Sequence, residues 1–181
     1  MIEYVAMGMV LHKPLTGYDI KKEIEAGIGS FSKSSYGNLY PALKKLTDKG
    51  FLALTEQTQV DRLKKYYMTT ELGKKEFLEW LTSPLASGSV TASLLTRIYF
   101  FGELSEDTRT QELQKYELHI QQILQQLREM EKQFSMPDLD ARDYFEISTL
   151  CYGIMSMQNM IQWLRHIEKQ KPLSKIINQE E

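Results

Sequence analysis

The stretch SSYGNLYPALKKLTDKGFLALTEQTQVDRLKKYYMTT, residues 34–70, holds the pattern that decides the fold. It predicts a helix that ends near Gly50, a strand over 51–56, a basic loop and a second strand over 65–69. Aromatic and β-branched residues in the two strands suit a pleated surface. This order of parts is typical of a winged helix, which presents one helix to the major groove of DNA and a hairpin to the flanking phosphates.

The charge is distributed unevenly along the chain. The formal net charge is −2 over 181 residues, but residues 1–83 hold 12 Lys and Arg against 10 Asp and Glu, and residues 84–181 hold 10 against 14. Within 33–65 there are seven basic and three acidic residues. Positive charge therefore collects in the segment that would face phosphate, while the rest of the chain is mildly acidic.

Two helices are predicted before this stretch. Residues 2–12 form a short apolar helix that stops before Pro14, because proline cannot continue it. Thr16 is the expected N-cap of a second helix, with Asp19 in an approximate capping box and Gly27 at its end. The apolar side chains of this helix are expected to point inward: Tyr18, Ile20 and Ile24.

Cap and stop signals organise the chain after residue 30. Ser34 or Ser35 is the expected N-cap of the third helix, and Lys49 with Gly50 closes it. Thr70 is the expected cap of a helix over 71–81. Apolar stripes are predicted on both helices, formed by Leu39, Leu43 and Leu46 on the first and by Leu72, Phe77, Leu78 and Leu81 on the second.

The stretch PLASGSVT at 84–91 is rich in Pro, Gly and Ser, which predicts a domain boundary. The expected fold is mainly α, with an N-terminal winged helix-turn-helix that has a two-stranded wing and an all-helical C-terminal domain. The winged-helix DNA-binding domain would occupy 1–83, the linker 84–91, and the helical dimerisation and effector domain 92–181.

Two long helices of the second half carry heptad spacing, with apolar residues in steps of three and four. The first begins near Ser105 and the second covers 141–169. A second apolar stripe on the last helix predicts burial between two neighbours, one of them most simply the same helix of a second subunit. The seam of the first helix is Leu113, Tyr116, Ile120, Ile123, Leu127, Met130 and Phe134; that of the second is Ile147, Leu150, Ile154, Met157, Ile161 and Leu164, with Tyr144, Cys151 and Met155 in its second stripe.

Several classes of protein are not indicated. No apolar run is long enough for a transmembrane helix, and the N-terminus does not resemble a signal peptide. The single cysteine, Cys151, suits a reducing cytoplasm. The three histidines lie on different predicted helices without metal-ligand spacing, and no arrangement typical of an enzyme or a cofactor site is present. We therefore expect neither catalysis nor a cofactor.

The predicted DNA contacts follow from position in the winged helix. A recognition helix reads bases from its first residues, and residues further along it contact phosphates. Each lysine alone suits a plain solvated surface equally well, whereas the helix and the basic wing together favour DNA. The base-reading candidates are Ser34, Ser35, Tyr36 and Asn38, the phosphate contacts are Tyr40, Lys44 and Lys45, and the wing contacts are Arg62, Lys64 and Lys65.

Several motifs resemble the PadR family of bacterial winged-helix transcriptional regulators. They are G-Y-D-I at 17–20, G-N-L-Y-P-A-L-K-K-L at 37–46, K-G-F-L at 49–52 and K-K-Y-Y-M-T-T-E-L-G-K at 64–74. From about Val90, with LLTRIYFFGELS at 94–105, the chain resembles the helical C-terminal domain that the family's longer subfamily shares with a virulence activator branch.

The resemblance implies a homodimer that binds an inverted repeat, usually as a repressor, and that releases DNA when a small aromatic or hydrophobic effector binds. It departs at the wing tip, where Asp61-Arg62 stands in place of the Gly-Arg pair of many relatives, and Asp61 is unfavourable near phosphate. The positions carried over as DNA contacts are Tyr18, Ser35, Tyr36, Asn38, Tyr40, Lys44, Lys64 and Lys65.

Candidate effector residues lie outside the wing. Met160 and Trp163 share helical spacing on the last helix and suit a flat apolar ligand, although such a stripe is more often part of a core. Arg97 or Arg165 could bind a carboxylate on the effector, and the residues do not select between them. A winged helix that serves as a protein-interaction module, without specific DNA binding, is the alternative function.

Overall fold

The computed structural model of the chain describes residues 1–28, 38–59, 62–85, 90–133 and 140–170, together with residues 172 and 174. These residues divide into two compact units, Met1–Ser105 and Glu106–Glu181. The predicted mainly helical, winged-helix fold is confirmed. The first unit holds α1 (Ile2–Met9), β1 (Leu15–Thr16), α2 (Gly17–Ala26), α3 (Leu39–Asp48), β2 (Leu52–Gln59), β3 (Arg62–Thr69), α4 (Glu71–Thr82), α5 (Val90–Tyr99) and a 3-10 turn (Phe101–Glu103); the second holds α6 (Glu106–Glu131) and α7 (Ala141–Glu168).

The sheet is antiparallel with the strand order β1-β3-β2. The hairpin of β2 and β3 pairs continuously from Leu52↔Thr69 to Gln59↔Arg62. The predicted hairpin is confirmed, but Arg62 and Lys64, which precede the predicted second strand, in fact lie in β3. Hydrogen bonds between the strands extend both of them toward the hairpin tip, beyond the predicted strands 51–56 and 65–69. The third strand, β1, was not predicted, because its two residues are too few to form a recognisable pattern.

The side chains of two threonines begin α2 and α4 as predicted. Thr16 Oγ1 accepts a hydrogen bond of 3.2 Å from the Asp19 backbone N–H and donates one of 2.6 Å to Asp19 Oδ2. Thr70 Oγ1 accepts a hydrogen bond of 3.0 Å from the Gly73 N–H and donates to the Gly50 carbonyl at 2.7 Å. Gly50, with φ +73°, follows α3 as the predicted stop.

The core of the first unit forms where α1, α2, α3 and α4 bury their apolar faces. Two inward predictions are wrong, because Tyr18 is 70% exposed and Leu72 is 56% exposed. Helical residues two apart do not share a face, so Tyr18 points away from the face that holds Ile20. Leu72 and the buried Phe77 are five residues apart, which places them about 140° apart around α4. The correctly predicted core residues include Ile20, Ile24, Leu39, Leu43, Leu46, Phe77 and Leu81.

Gly73, in the first turn of α4, has no room for a side chain. A Cβ at this position would lie 2.1 Å from the Phe51 carbonyl oxygen, which is backbone and cannot move aside as a flexible side chain can. The gain in helix propensity from alanine, about 1 kcal/mol, is smaller than the strain of a forced backbone shift, about 1–3 kcal/mol.

We therefore expect Gly73→Ala to lower the stability of the winged-helix unit by up to about 2 kcal/mol. The denaturant midpoint of unfolding measures this loss. Gly102→Ala is the matched control, because a Cβ at Gly102 would meet no atom within 4 Å. An equal midpoint shift in the two variants would contradict the steric explanation.

The first compact unit extends beyond the predicted boundary at 84–91 and includes α5. Phe100, at the end of α5, is buried and packs edge-on against Phe77 of α4, with ring centroids 5.3 Å apart. Residues 86–89 lie outside the described part of the chain. The boundaries 1–83, 84–91 and 92–181 therefore stay predictions.

In the second unit, α6 packs against α7. Arg165 Nη2 lies 2.7 Å from Glu117 Oε1, and Gln114 Nε2 donates to Glu168 Oε1 at 2.8 Å, so the start of α6 meets the end of α7. The predicted seams are buried at Leu113, Tyr116 and Ile120 of α6 and at Ile147, Ile154, Ile161 and Leu164 of α7. The α6 seam is not buried to its end.

At the C-terminal end of α6, Met130 is 51% exposed. Phe134, the last residue of the predicted seam, lies outside the described residues. A heptad position is buried only where a partner helix covers it, so the spacing alone overstated burial at this end within one chain.

Candidate nucleic-acid interface

One open groove of the first unit lies between the start of α2, the start of α3 and the strand β3. Four residues that were predicted to contact DNA line it together: Tyr18, Tyr40, Lys64 and Lys65. Thr16, Gly17, Asp19, Leu63 and Tyr67 complete the lining. We call this surface the aromatic-basic groove. It joins residues from three separate segments of the chain, and short-range sequence patterns alone could not have shown that they meet.

Strand pairing and helix geometry position this groove. β1 pairs with β3 through Leu15↔Tyr67 and Thr16↔Tyr66, which holds the N-terminus of α2 beside the wing. In α3, Leu39 is fully buried, and its neighbour Tyr40 therefore projects to the other side with 57% of its surface exposed. Tyr40 and Tyr18, which is 70% exposed, thus present their rings and hydroxyls to solvent.

The polar character of the groove is mixed. Lys65 Nζ lies 3.4 Å from Glu56 Oε1 across the hairpin, and the lysine side chain stays 55% exposed. Asp19 adds an acidic group, held by the Thr16 hydroxyl. The sequence indicated Asp19 only as a capping residue and gave no role to Leu63, which is 59% exposed. The available signal for Leu63 was an apolar residue directly beside Lys64 and Lys65.

Lys44 and Lys45 point in different directions, although both were predicted to contact phosphate. An α-helix turns roughly 100° per residue, so Lys44 lies within about 40° of Tyr40 and Lys45 about 140° from it. Lys44 is exposed and, among the described residues, has no ion-pair partner. Lys45 Nζ donates to Glu3 Oε1 of α1 at 2.8 Å. That hydrogen bond lowers the pKa of the Glu3 carboxyl, although partial burial opposes the effect.

The structure thus separates the two lysines. Lys45 lines a second, smaller cleft with Glu3, Tyr4 and Glu76 rather than the aromatic-basic groove. The sequence could not reveal this partner, because Glu3 and Lys45 are 42 positions apart.

The remaining predicted contacts lie at the ends of this surface. Asn38 is exposed and precedes α3 as its N-cap residue. Arg62 begins β3. Ser34, Ser35, Tyr36 and Asp61 lie outside the described residues. The prediction that Ser34 or Ser35 is the N-cap of α3 is wrong, because α3 begins at Leu39 and Asn38 is its N-cap residue.

The candidate effector residues belong to different compact units. Arg97 lies in the first unit and is 2% exposed; Met160 and Trp163 are half-buried on α7 in the second. The Arg97 guanidinium donates to the Ser83 carbonyl, to Ser83 Oγ at 3.2 Å and to the Pro84 carbonyl at 3.1 Å. It also lies 5.2 Å from the centre of the Trp80 ring.

Through these contacts, Arg97 stabilises the chain directly after the end of α4. Its buried Nε atom has no hydrogen-bond partner within the described part of the chain. Arg165, the alternative considered for a carboxylate, is paired with Glu117 at 2.7 Å. Both arginines therefore already have partners within the chain: Arg97 is hydrogen-bonded and Arg165 is ion-paired.

In the described ranges, no group of three or more His, Cys, Asp or Glu residues could hold a metal ion. In the same ranges, none of the helices combines the length and the apolar character needed to span a membrane.

The hairpin, the aromatic-basic groove and the capped helices define a winged-helix transcriptional regulator. Residues 7–79 match the Transcriptional regulator PadR-like family, and residues 92–170 match Virulence activator alpha C-term. The chain therefore carries a domain of the PadR-like family at residues 7–79 and is similar to a PadR regulator over most of its length. This is a family of regulators and not of enzymes.

Similar proteins come from Bacillus subtilis. The negative transcriptional regulator PadR of strain 168 is 26% identical over 174 residues, which are 92% of this chain and 95% of the relative. Crystal structures of B. subtilis PadR are 26% identical and cover 93% of this chain and 97% of theirs. The TM-score is 0.44 for the complex with operator DNA and 0.41 for the complex with p-coumaric acid.

Proposed function

We propose that this regulator is a homodimeric, sequence-specific DNA-binding repressor that recognises an inverted repeat and is released by a small aromatic or hydrophobic effector. The observation that carries the DNA part is the aromatic-basic groove, in which Tyr18, Tyr40, Lys64 and Lys65 converge. The 26% identity to a negative regulator over nearly the whole chain supports repression as the output.

The groove has the chemistry that a DNA backbone requires. Tyrosine hydroxyls and lysine ammonium groups donate hydrogen bonds to phosphate oxygens, which fixes the protein's register on the duplex. The exposed rings of Tyr18 and Tyr40 and the exposed Leu63 side chain offer apolar contact to sugars or thymine methyl groups. Base reading is assigned to Ser34, Ser35, Tyr36 and Asn38, with Arg62 as a further wing contact.

An apolar surface on α7 supports the dimer. Its residues recur in steps of one, seven and three, which places them on one side of the helix, away from the buried seam. An exposed cluster of this kind is typical of a protein interface, and a two-fold pair buries it against itself. Two-fold symmetry of the protein then requires an inverted repeat in the DNA. The residues are Tyr144 (61% exposed), Phe145 (66%), Tyr152 (73%) and Met155 (61%).

Effector binding rests on fewer observations. Met160 and Trp163 are half-buried, so part of each side chain is accessible to an apolar ligand. Arg97 would have to exchange its hydrogen bonds to Ser83 and Pro84 for a ligand carboxylate. We therefore place the effector beside Met160 and Trp163 and treat Arg97 as the less available of the three.

The proposal is tested by selecting duplexes from a random DNA pool with the purified chain at about 100 mM salt. The expected result is an enriched inverted repeat with half-sites separated by about one helical turn or a multiple of it. Affinity should fall steeply with salt, because phosphate contacts release counterions. If no duplex is enriched, the alternative of a protein-interaction module without specific DNA binding replaces this proposal.

Lys44 and Lys45 form a natural matched pair for locating the phosphate contacts. We expect Lys44→Ala to weaken binding to the selected duplex and to reduce the slope of log affinity against log salt by about 1 for each half-site. Lys45→Ala should leave the slope unchanged, because its ammonium group is held by Glu3 at 2.8 Å. Fluorescence anisotropy titrations between about 50 and 200 mM salt measure both slopes. Equal slopes for the two variants would show that Lys44 is not a phosphate contact.

A further inference from the structure

Gly17 and Tyr40 contact each other in the lining of the aromatic-basic groove. It is the first residue of α2, it is buried, and it lines the groove together with Tyr40. A Cβ built on Gly17 would lie 2.8 Å from Tyr40 Cε1 and 3.5 Å from Tyr40 Cδ1. The tyrosine ring therefore rests directly against the backbone of α2, in space that any other residue at position 17 would fill.

Backbone conformation does not explain a glycine at this position. Gly17 does not adopt a φ in the left-handed region, whereas Gly50 does, with φ +73°. Position 17 is also helical, and there alanine is the better helix former. The distinguishing property of glycine here is the missing side chain.

From this contact we infer that Gly17 is a positioning residue: it holds the exposed Tyr40 ring in the orientation that contacts DNA. The inference rests on the proposed DNA-binding function. Because 57% of Tyr40 is exposed, the ring can swing outward when a methyl group arrives. Leu43 Cδ1, at 3.4 Å from the built Cβ, needs to move by only a few tenths of an ångström. The fold can therefore accept Gly17→Ala while the groove changes.

A double-mutant cycle on the selected duplex tests this coupling. We expect Gly17→Ala to weaken binding by about 5- to 20-fold while shifting the melting temperature by no more than about 3 °C, since helix propensity partly offsets the lost contact. In a Tyr40→Ala background, the same Gly17→Ala change should alter the affinity less than about twofold, because the ring that it displaces is gone.

Each alternative outcome has a definite meaning. If Gly17→Ala binds like wild type, or if its loss of affinity persists in full without Tyr40, the inference is overturned. If Gly17→Ala unfolds the protein, the double variant Gly17→Ala/Tyr40→Ala tests the inference. A folded double variant that binds like Tyr40→Ala supports the steric coupling. An unfolded double variant overturns it. If the selection with wild-type chain enriches no duplex, the proposed function fails first, and that result is distinguishable from the others.

Discussion

Replacing Tyr152 of α7 with aspartate is expected to convert the proposed dimer into a monomer and to lower affinity for the selected duplex by more than about 100-fold. Tyr152 is 73% exposed in the single chain and lies on the apolar surface that also carries Phe145 and Met155. In a two-fold interface each substitution counts twice, because the same residue is lost on both subunits. The interface would lose the burial of two large side chains and would also have to desolvate two carboxylates.

The loss of DNA affinity follows from the loss of the second half-site. When two binding modules are linked, the second binds at a high effective concentration, and overall affinity exceeds that of one module by about 10²- to 10⁴-fold. A monomer keeps an intact groove but loses this gain. Tyr152→Asp should therefore bind a duplex with a single half-site about as well as wild-type subunits do.

Sedimentation velocity over a range of protein concentrations measures the assembly state, and anisotropy titrations measure duplex binding. Tyr152→Phe is the matched control: it keeps the apolar ring and removes only the hydroxyl, so it should remain dimeric. A Tyr152→Asp protein that stays dimeric at micromolar concentration would move the interface away from this surface of α7.

Replacing Tyr40 with alanine is expected to weaken binding to the full inverted repeat by about 100-fold while leaving the fold intact. The lost contact corresponds to about 1.4 kcal/mol, or tenfold, in each half-site, and the dimer loses it twice. Stability should change little, because 57% of the Tyr40 surface is already exposed in the folded chain. Thermal unfolding followed by circular dichroism checks the fold, and titration of the selected duplex measures the affinity.

Two further variants separate the possible causes of the affinity loss in Tyr40→Ala. Tyr40→Phe keeps the ring beside Gly17 and removes the hydroxyl, so it isolates the hydrogen bond to phosphate. Tyr99→Ala removes another exposed tyrosine of the same unit, 49% exposed, that does not line the groove. Affinity in Tyr99→Ala should match wild type; a loss as large as in Tyr40→Ala would mean that the effect is not specific to the groove.

Much of the winged helix could be predicted because its signals are local. Thr16, Thr70 and Gly50 act within three or four residues of their own positions, and the structure confirms each of them. The hairpin was recognised from two short runs of strand-forming residues. The errors arose where a neighbour distant in sequence decided the outcome, as with Arg62 and Lys64, which join β3 because β2 extends far enough to pair with them.

The same distinction applies to the candidate site. The sequence by itself determined which segments form the helices and the hairpin, and it identified Tyr40, Lys44, Lys64 and Lys65 as side chains suited to DNA. Only the tertiary structure decided that Tyr18 faces the groove, that Gly17 supports the Tyr40 ring and that Lys45 turns away to Glu3. Caps and turns depend on hydrogen bonds within a few residues, whereas a groove depends on packing between segments that are far apart in the chain.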